Sequence, residues 1–333
     1  MKFSFGQLAV VGLVAVIAAA PAIVGNNYQV FILTLIGLYT MLTVGLSLVM
    51  GYAGQVSLGH ATFYGVGAYA TALLSARAGW PSWAALIVAT ALTGLMGFVI
   101  GVPIFRLRGH YLAMATLGLN VIFSLILKNE AGITGGPSGF TGIPPLAVGR
   151  FVFDSDVRMY YLVWTMVLGS LWLSLNIVNS RVGRALRAIH ASEVAAETLG
   201  VDANAYKLRV FALAAGFAGL AGGLYAQAVH FISPSSFDIL VSVELVTMTA
   251  IGGLASVWGS VFGAATVVFL GQFIRDKMAL VLAGASGEQE IIVFGLLLVI
   301  IMVFLPEGLT AGGLKLIRRW RMADGRWQIA DGR

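Results

Sequence analysis

Between Lys2 and Arg77 the chain carries no Asp, Glu, Lys or Arg. A water-soluble fold has no way to cover so long an uncharged, apolar stretch, whereas a bilayer accommodates it. Each crossing needs about 20 mainly apolar residues in a helix, because lipid leaves backbone polar groups no partner outside their own segment. The remainder of the chain agrees: it is 59% hydrophobic and 10% charged, against roughly a quarter charged in soluble domains. Its 42 Gly fit helices whose backbones approach closely in lipid. No Cys is present, which excludes disulfides, thiolate nucleophiles and Cys metal sites. The expected fold is an all-α polytopic helix bundle with Gly-rich broken helices.

Charge-poor windows predict ten spans, at roughly 8–24, 30–50, 60–76, 82–105, 109–128, 159–179, 209–229, 238–252, 257–275 and 290–305. With Lys2 inside, the inner segments hold fourteen basic residues: Lys2, Arg106, Arg108, Arg181, Arg184, Arg187, Lys207, Arg209 and six from Lys315 to Arg333. The outer segments hold six, namely Arg77, Lys128, Arg150, Arg158, Arg275 and Lys277. This bias predicts both termini inside. It also accounts for the net charge of +6 without a nucleic-acid partner. Tyr28, Trp80, Trp83, Tyr160, Tyr161 and Trp164 fall near outer ends, as an aromatic belt does. The first apolar run, with Ala19-Ala20-Pro21-Ala22, reads as a retained helix in preference to a cleaved signal peptide. The membrane-spanning body is expected over 1–312, with an inner loop at 181–209, an outer loop at 129–158 and a basic inner tail at 313–333.

Two Gly-rich breaks interrupt the apolar pattern, Gly51-Tyr-Ala-Gly-Gln-Val-Ser-Leu-Gly-His60 and Ile251-Gly-Gly-Leu-Ala-Ser-Val-Trp-Gly-Ser-Val-Phe-Gly-Ala264. Irregular backbone at membrane depth survives only where protein or a water-filled cavity satisfies it. The breaks therefore either border a solute path or make tight turns at the inner surface, and their similarity is compatible with an internal duplication. The inner loop carries five Lys/Arg between Arg181 and Arg209. Within it, Ser192 is placed to cap a short helix whose first turn holds Glu193. Ala195, Ala196 and Leu199 would give that helix a small apolar face, and Gly200 can end it in a left-handed conformation. Such a helix suits a groove on another protein or, equally, a resting place on lipid headgroups with Arg184 and Arg187 facing phosphates.

Val194-Ala195-Ala196, three residues and then Gly200 resemble the EAA loop of ABC importer permeases, with Val where that pattern has Glu. The departure is shared by the Leu/Ile/Val branch. Four further stretches resemble that branch: Gly45–Ala68, Gly109–Asn120 (GHYLAMATLGLN), Lys207–Ala226 and Gly252–Ala264 with its Gly-Gly-x-x-Ser-x-x-Gly. Thr134-Gly-Gly-Pro-Ser-Gly139 is similar to its outer-loop motif. Together they identify the chain as a member of the LivH/LivM permease family, nearer the M-type. The resemblance implies an inner-membrane subunit paired with a homologous permease. Two cytoplasmic ATPase subunits would dock on Arg184, Ala188, Glu193, Ala195, Ala196 and Gly200. A periplasmic binding protein would deliver branched-chain amino acids. ATP would be bound by the partners and no cofactor by this chain, which lacks a G-x-x-x-x-G-K-[ST] phosphate loop.

Polar residues at membrane depth are costly and often functional. Gln55, Ser57, His60, Thr62 and Tyr64, with Asn120 and Glu244, are the candidate path lining. Each has a plainer alternative: Asn120 as a helix–helix hydrogen bond, His60 and Glu244 as interfacial groups. The outer loop, with Glu130, Arg150, Asp154, Asp156 and Arg158, is a candidate docking face or a solvated loop. Arg318, Arg319 and Arg321 in the tail fit an anchor on anionic lipid. The four His, at 60, 110, 190 and 230, form no metal-binding pair on a helix, and no paired carboxylates suggest an enzyme. Urea, amides and aromatic acids are alternative solutes. An ion-coupled secondary transporter is the rival mechanism, with Glu244 the only carboxylate near a relay position.

Overall fold

The computed structural model describes residues 5–107, 109–149 and 151–281, together with 295, 296, 299, 308 and 309. The expected span at 290–305, the basic tail, Lys2, Arg108 and Arg150 lie outside the described residues. Twelve α-helices are described: α1 (Phe5–Ile23), α2 (Asn27–Leu46), α3 (His60–Ala72), α4 (Ser82–Ile104), α5 (His110–Asn129), α6 (Ala131–Thr134), α7 (Asp156–Asn179), α8 (Arg181–Ala191), α9 (Glu193–Thr198), α10 (Ala203–Val229), α11 (Ile239–Gly252) and α12 (Val257–Val281). Four two-residue strands, β1 (Phe140–Thr141), β2 (Ala147–Val148), β3 (Phe151–Val152) and β4 (Phe231–Ile232), pair as β1–β4 and β2–β3, both antiparallel.

Seven described segments are long and apolar enough to cross a membrane: 27–52, 82–104, 110–129, 156–179, 203–229, 234–252 and 257–275. They correspond to seven of the ten expected spans. In the first, only Gly12–Ile23 forms a shorter apolar helix. The segment at 60–76 is helical, as α3 followed by a π-helical turn at Leu73–Arg77. It is rich in polar and small residues because protein surrounds it: eleven of the thirteen α3 residues are buried. A helix enclosed by other helices has no need of a lipid-facing apolar surface.

Small residues set the centre of the bundle. Helix α10 packs against α3 and α4 along a line of glycines. A Cβ on Gly67 would collide with the Gly219 backbone, and one on Gly222 with the Tyr64 carbonyl. On the other side of α10, a Cβ on Gly219 would come within 2.6 Å of Thr93. Close approach of this kind replaces the hydrophobic drive that is missing between helices in lipid. Helix α2 lies beside α10 and carries α7, α11 and α12 on its other faces. Its start is capped by Asn26, whose Oδ1 accepts from the Tyr28 amide at 3.1 Å. Inside it, Thr34, Thr40 and Thr43 donate to carbonyls four residues back at 3.0, 2.7 and 2.8 Å, so each of these three hydroxyl protons is used.

Helix α1 is held to α7 by a consequence of proline chemistry. Pro21 has no N–H, which deprives the Ile17 carbonyl of its helical partner. The Tyr160 hydroxyl donates to that carbonyl at 3.0 Å, and Tyr161 donates to Ala18 O at 3.1 Å. Trp164 Nε1 donates to Leu33 O at 3.1 Å. Tyr160 and Trp164, expected in an aromatic belt, are thus buried clamps, whereas Tyr28, Trp80, Trp83 and Tyr161 are exposed.

Candidate functional site

The first Gly-rich break is the point where the elements of the protein converge. Helix α2 runs on through a π-helical turn at Ser47–Tyr52, and the chain is irregular from Gly54 to Gly59 before α3 begins. π-Turns of this kind are frequent at functional positions. Four neighbours close on the segment. Ser47 Oγ donates to Leu254 O at 2.8 Å, and a Cβ on Gly51 would collide with that same carbonyl, so the two Gly-rich breaks touch. The Leu58 amide donates to Thr116 Oγ1 of α5 at 3.0 Å. The Ala61 amide donates to Ser242 Oγ of α11 at 3.1 Å. Gly54, with φ +69°, packs against His190 at the end of α8, and a Cβ there would lie 3.1 Å from Nδ1. The second break is itself tight: a Cβ on Gly252 or on Gly259 would collide with the backbone of the other.

The candidate path residues fall in and after this break, and they divide. Ser57, His60 and Asn120 are buried, and Ser57 Oγ, both His60 nitrogens and Asn120 Oδ1 have no hydrogen-bond partner among the described residues. Unsatisfied buried groups are rare and call for an explanation. Asn120 Nδ2 donates to Thr62 Oγ1 at 3.2 Å and approaches Phe237 O at 3.5 Å, which ties α5, α3 and the start of α11 together. Tyr64 lies in an aromatic group with Tyr225 and Phe237, at ring separations of 5.5 and 5.1 Å. Gln55, half-buried, folds back to donate to Ala53 O at 3.0 Å. Glu244 stands apart. It lies two residues beyond Ser242, which turns it about 200° around α11, and it interacts electrostatically with Tyr39 and Arg275.

Helix α8 is amphipathic with a period of three. Gly183, Leu186 and Ile189 are buried against the bundle, and Arg181 and Arg184 are exposed on the opposite side, with Arg187 and His190 exposed at the edge of the buried stripe. Arg187 also donates to Val178 O at 3.0 Å. Ser192 caps α9, accepting from the Ala195 amide at 3.3 Å, and Gly200 takes φ +83° after its end. The small apolar face divides. Ala196 points inward to Ile189 and Ala203, while Val194, Ala195 and Leu199 are exposed. Ala188 is half-buried beside that inner cluster. Glu193 is tied to the bundle: its Oε1 meets Lys207 Nζ of α10 at 2.7 Å, with the Lys207 side chain 1% and the Glu193 side chain 22% exposed. Lys207 also stands 6.0 Å from the Phe105 ring centroid. No local pattern announces this pair, since the two residues are fourteen apart and on different helices.

The outer loop is partly structured. Phe140, Ile143 and Leu146 are buried beneath it. Arg77 donates to Gly132 O at 2.8 Å, Lys128 pairs with Asp238 at 3.2 Å and Arg158 with Asp154 at 2.7 Å. Among the described residues no group of His, Cys, Asp or Glu is placed to hold a metal ion.

A polytopic helical membrane protein with broken helices around a buried polar cluster belongs to the class of membrane permeases. Comparison with known proteins gives the family. Residues 28–303 match the model of the branched-chain amino acid transport system permease component. The chain is 31% identical over 326 residues to the high-affinity branched-chain amino acid transport system permease protein LivM of Escherichia coli, covering 91% of this chain and 74% of that protein. It is 26% identical over 292 residues to LivH of the same organism, covering 83% and 92%. It is 23% identical over 320 residues to a probable LivM of Methanocaldococcus jannaschii, covering 84% and 92%. The chain belongs to the branched-chain amino acid transport permease family and is a LivM-type, multi-pass membrane permease.

Proposed function

We propose that this chain is one of two homologous permease subunits of an ATP-driven importer in the bacterial inner membrane. It pairs with a LivH-type subunit, receives branched-chain amino acids from a periplasmic binding protein and is driven by two cytoplasmic ATPase subunits. The family supports the solute class. The charge-poor windows support ten spans, and the Lys/Arg bias supports both termini inside. The observation that carries the coupling scheme is the contact of His190, at the end of α8, with Gly54 in the first break.

The steps follow from that contact. ATPase docking on α8 and α9, around Arg184, Ala188, Ala195 and Gly200, pushes on one rigid unit, because Ala196 and the Glu193–Lys207 pair fasten α9 to α10. The displacement reaches Gly54 directly and the second break through Ser47 and Gly51. Both breaks then rearrange about Ser57, His60 and Asn120, whose unsatisfied groups meet water or solute in the open state. Bistable packing of this kind converts small shifts into gating. Cargo is held by the binding protein, so the path itself needs no strong site. The test is leucine uptake by proteoliposomes holding the full complex. ATP-dependent uptake that is lost in Ala196→Trp without loss of assembly supports the scheme; unchanged uptake in that variant removes the coupling role.

A further inference from the structure

A cavity of about 190 Å³ opens at the end of the bundle that the charge bias places outside, between the starts of α2 and α7 and the end of α10. None of the path residues above borders it. Its walls combine apolar surface, from Phe31, Met159 and Ala228, with polar groups from Thr34, Asp156, Gln227 and His230.

The hydrogen-bond inventory of those polar groups is one-sided. Gln227 is 1% exposed; its Nε2 donates to Ser82 O at 3.0 Å, and its Oε1 has no partner among the described residues. Thr34, 2% exposed, uses its hydroxyl proton on Val30 O at 3.0 Å, leaving oxygen lone pairs. His230 Nδ1 lies 3.0 Å from Ile143 O. A carbonyl can only accept, so Nδ1 carries a proton and is spent on that contact. Asp156 adds a carboxylate, whereas the neighbouring Asp154 is engaged by Arg158. Gln227, Thr34 and Asp156 therefore offer acceptors on one wall, while the Ser155 hydroxyl, which makes no cap hydrogen bond at the start of α7, is a donor at the rim. A partner must bring several N–H groups and positive charge. An organic ammonium with an apolar tail meets both the acceptors and the apolar wall formed by Phe31 and Met159.

We infer that this cavity receives the primary ammonium group of a small solute at the outer face, with Gln227 Oε1, Thr34 Oγ1 and Asp156 as acceptors and Phe31 and Met159 against its apolar part. The outer placement rests on the importer reading, in which an amino acid arrives at this end.

The assembled transporter in nanodiscs is titrated with 3-methylbutylamine, leucine and 4-methylpentanoate, read by saturation-transfer NMR. Asp156→Asn, at an exposed helix start, and Thr34→Val, which keeps side-chain shape, are the variants. The amine should bind saturably and compete with leucine, the acid should not compete, and each variant should weaken amine binding about ten-fold through loss of a charge-assisted or direct acceptor. If Thr34→Val fails to fold, Asp156→Asn decides alone. No saturable amine binding, equal competition by the acid, or amine binding untouched by Asp156→Asn overturns the assignment. Loss of binding-protein capture in Asp156→Asn without amine binding assigns the cavity to a protein side chain and also overturns it. ATP-driven leucine uptake on the same preparation separates the two readings. Intact uptake without amine binding removes this site alone, and amine binding without any ATP-driven uptake removes the importer and leaves the site.

Discussion

Replacing Glu193 by Gln should loosen the inner loop through a charge stranded on another helix. Glu193 Oε1 sits 2.7 Å from Lys207 Nζ, whose side chain is 1% exposed. An exposed pair contributes about 0–1 kcal/mol, whereas breaking a fully buried one costs about 3–5 kcal/mol because the remaining charge has no water to turn to. Here the carboxylate is 22% exposed, and the Phe105 ring, 6.0 Å from the ammonium, supplies modest compensation. The loss is therefore placed at about 2–3 kcal/mol, a rise of about 30- to 150-fold in local opening of α9. Hydrogen exchange of amides 193–201 reads that opening directly. Lys207→Met alone should cost less, because Glu193 can turn toward solvent, and the double variant should recover most of the single Glu193→Gln loss. A coupling energy near 1.5 kcal/mol or above is expected from the cycle. Additive single effects, within about 0.5 kcal/mol, would show that the pair fastens nothing and would refute the reasoning.

Other outcomes follow from the same contacts. His60→Leu removes two nitrogens that have no described partner, so thermal stability should hold or rise while leucine uptake falls at least about ten-fold; equal loss of both would make His60 structural. Gly67→Ala and Gly222→Ala drive a Cβ into facing backbone and should cost about 3 kcal/mol each, whereas Gly118→Ala, with nothing near it, should be neutral or gain up to about 1 kcal/mol, all read by thermal shift in detergent. Arg184→Glu reverses a charge on the exposed side of α8 and should weaken ATPase co-purification, more so at low salt; unchanged capture would move the docking surface elsewhere.

What was legible in the sequence follows from the physics each feature uses. The long charge-free runs gave seven of the spans, because lipid imposes length and composition together. Ser192 and Gly200 were legible because caps and left-handed turns are local chemistry. The same local reading placed Ala196 on the partner-facing side with Ala195 and Leu199, which are exposed; that Ala196 is instead buried depends on α8 and α10. The Glu193–Lys207 pair, the use of Tyr160 to satisfy the carbonyl freed by Pro21, and the meeting of Gly51 with Leu254 are all long-range. No spacing in one sequence announces them. Gly51, Gly54 and Gly59 were recognisable as a break, but the reason for three glycines became visible only with Leu254, His190 and Thr116 packed against them.

The most direct test of the account is leucine uptake by proteoliposomes holding this chain, its LivH-type partner and the two ATPases, with the binding protein outside. Uptake should need ATP hydrolysis and the binding protein, withstand a protonophore and be lost in Ala196→Trp while the complex stays assembled. Uptake by this chain alone, driven by an ion gradient without ATP, would contradict it.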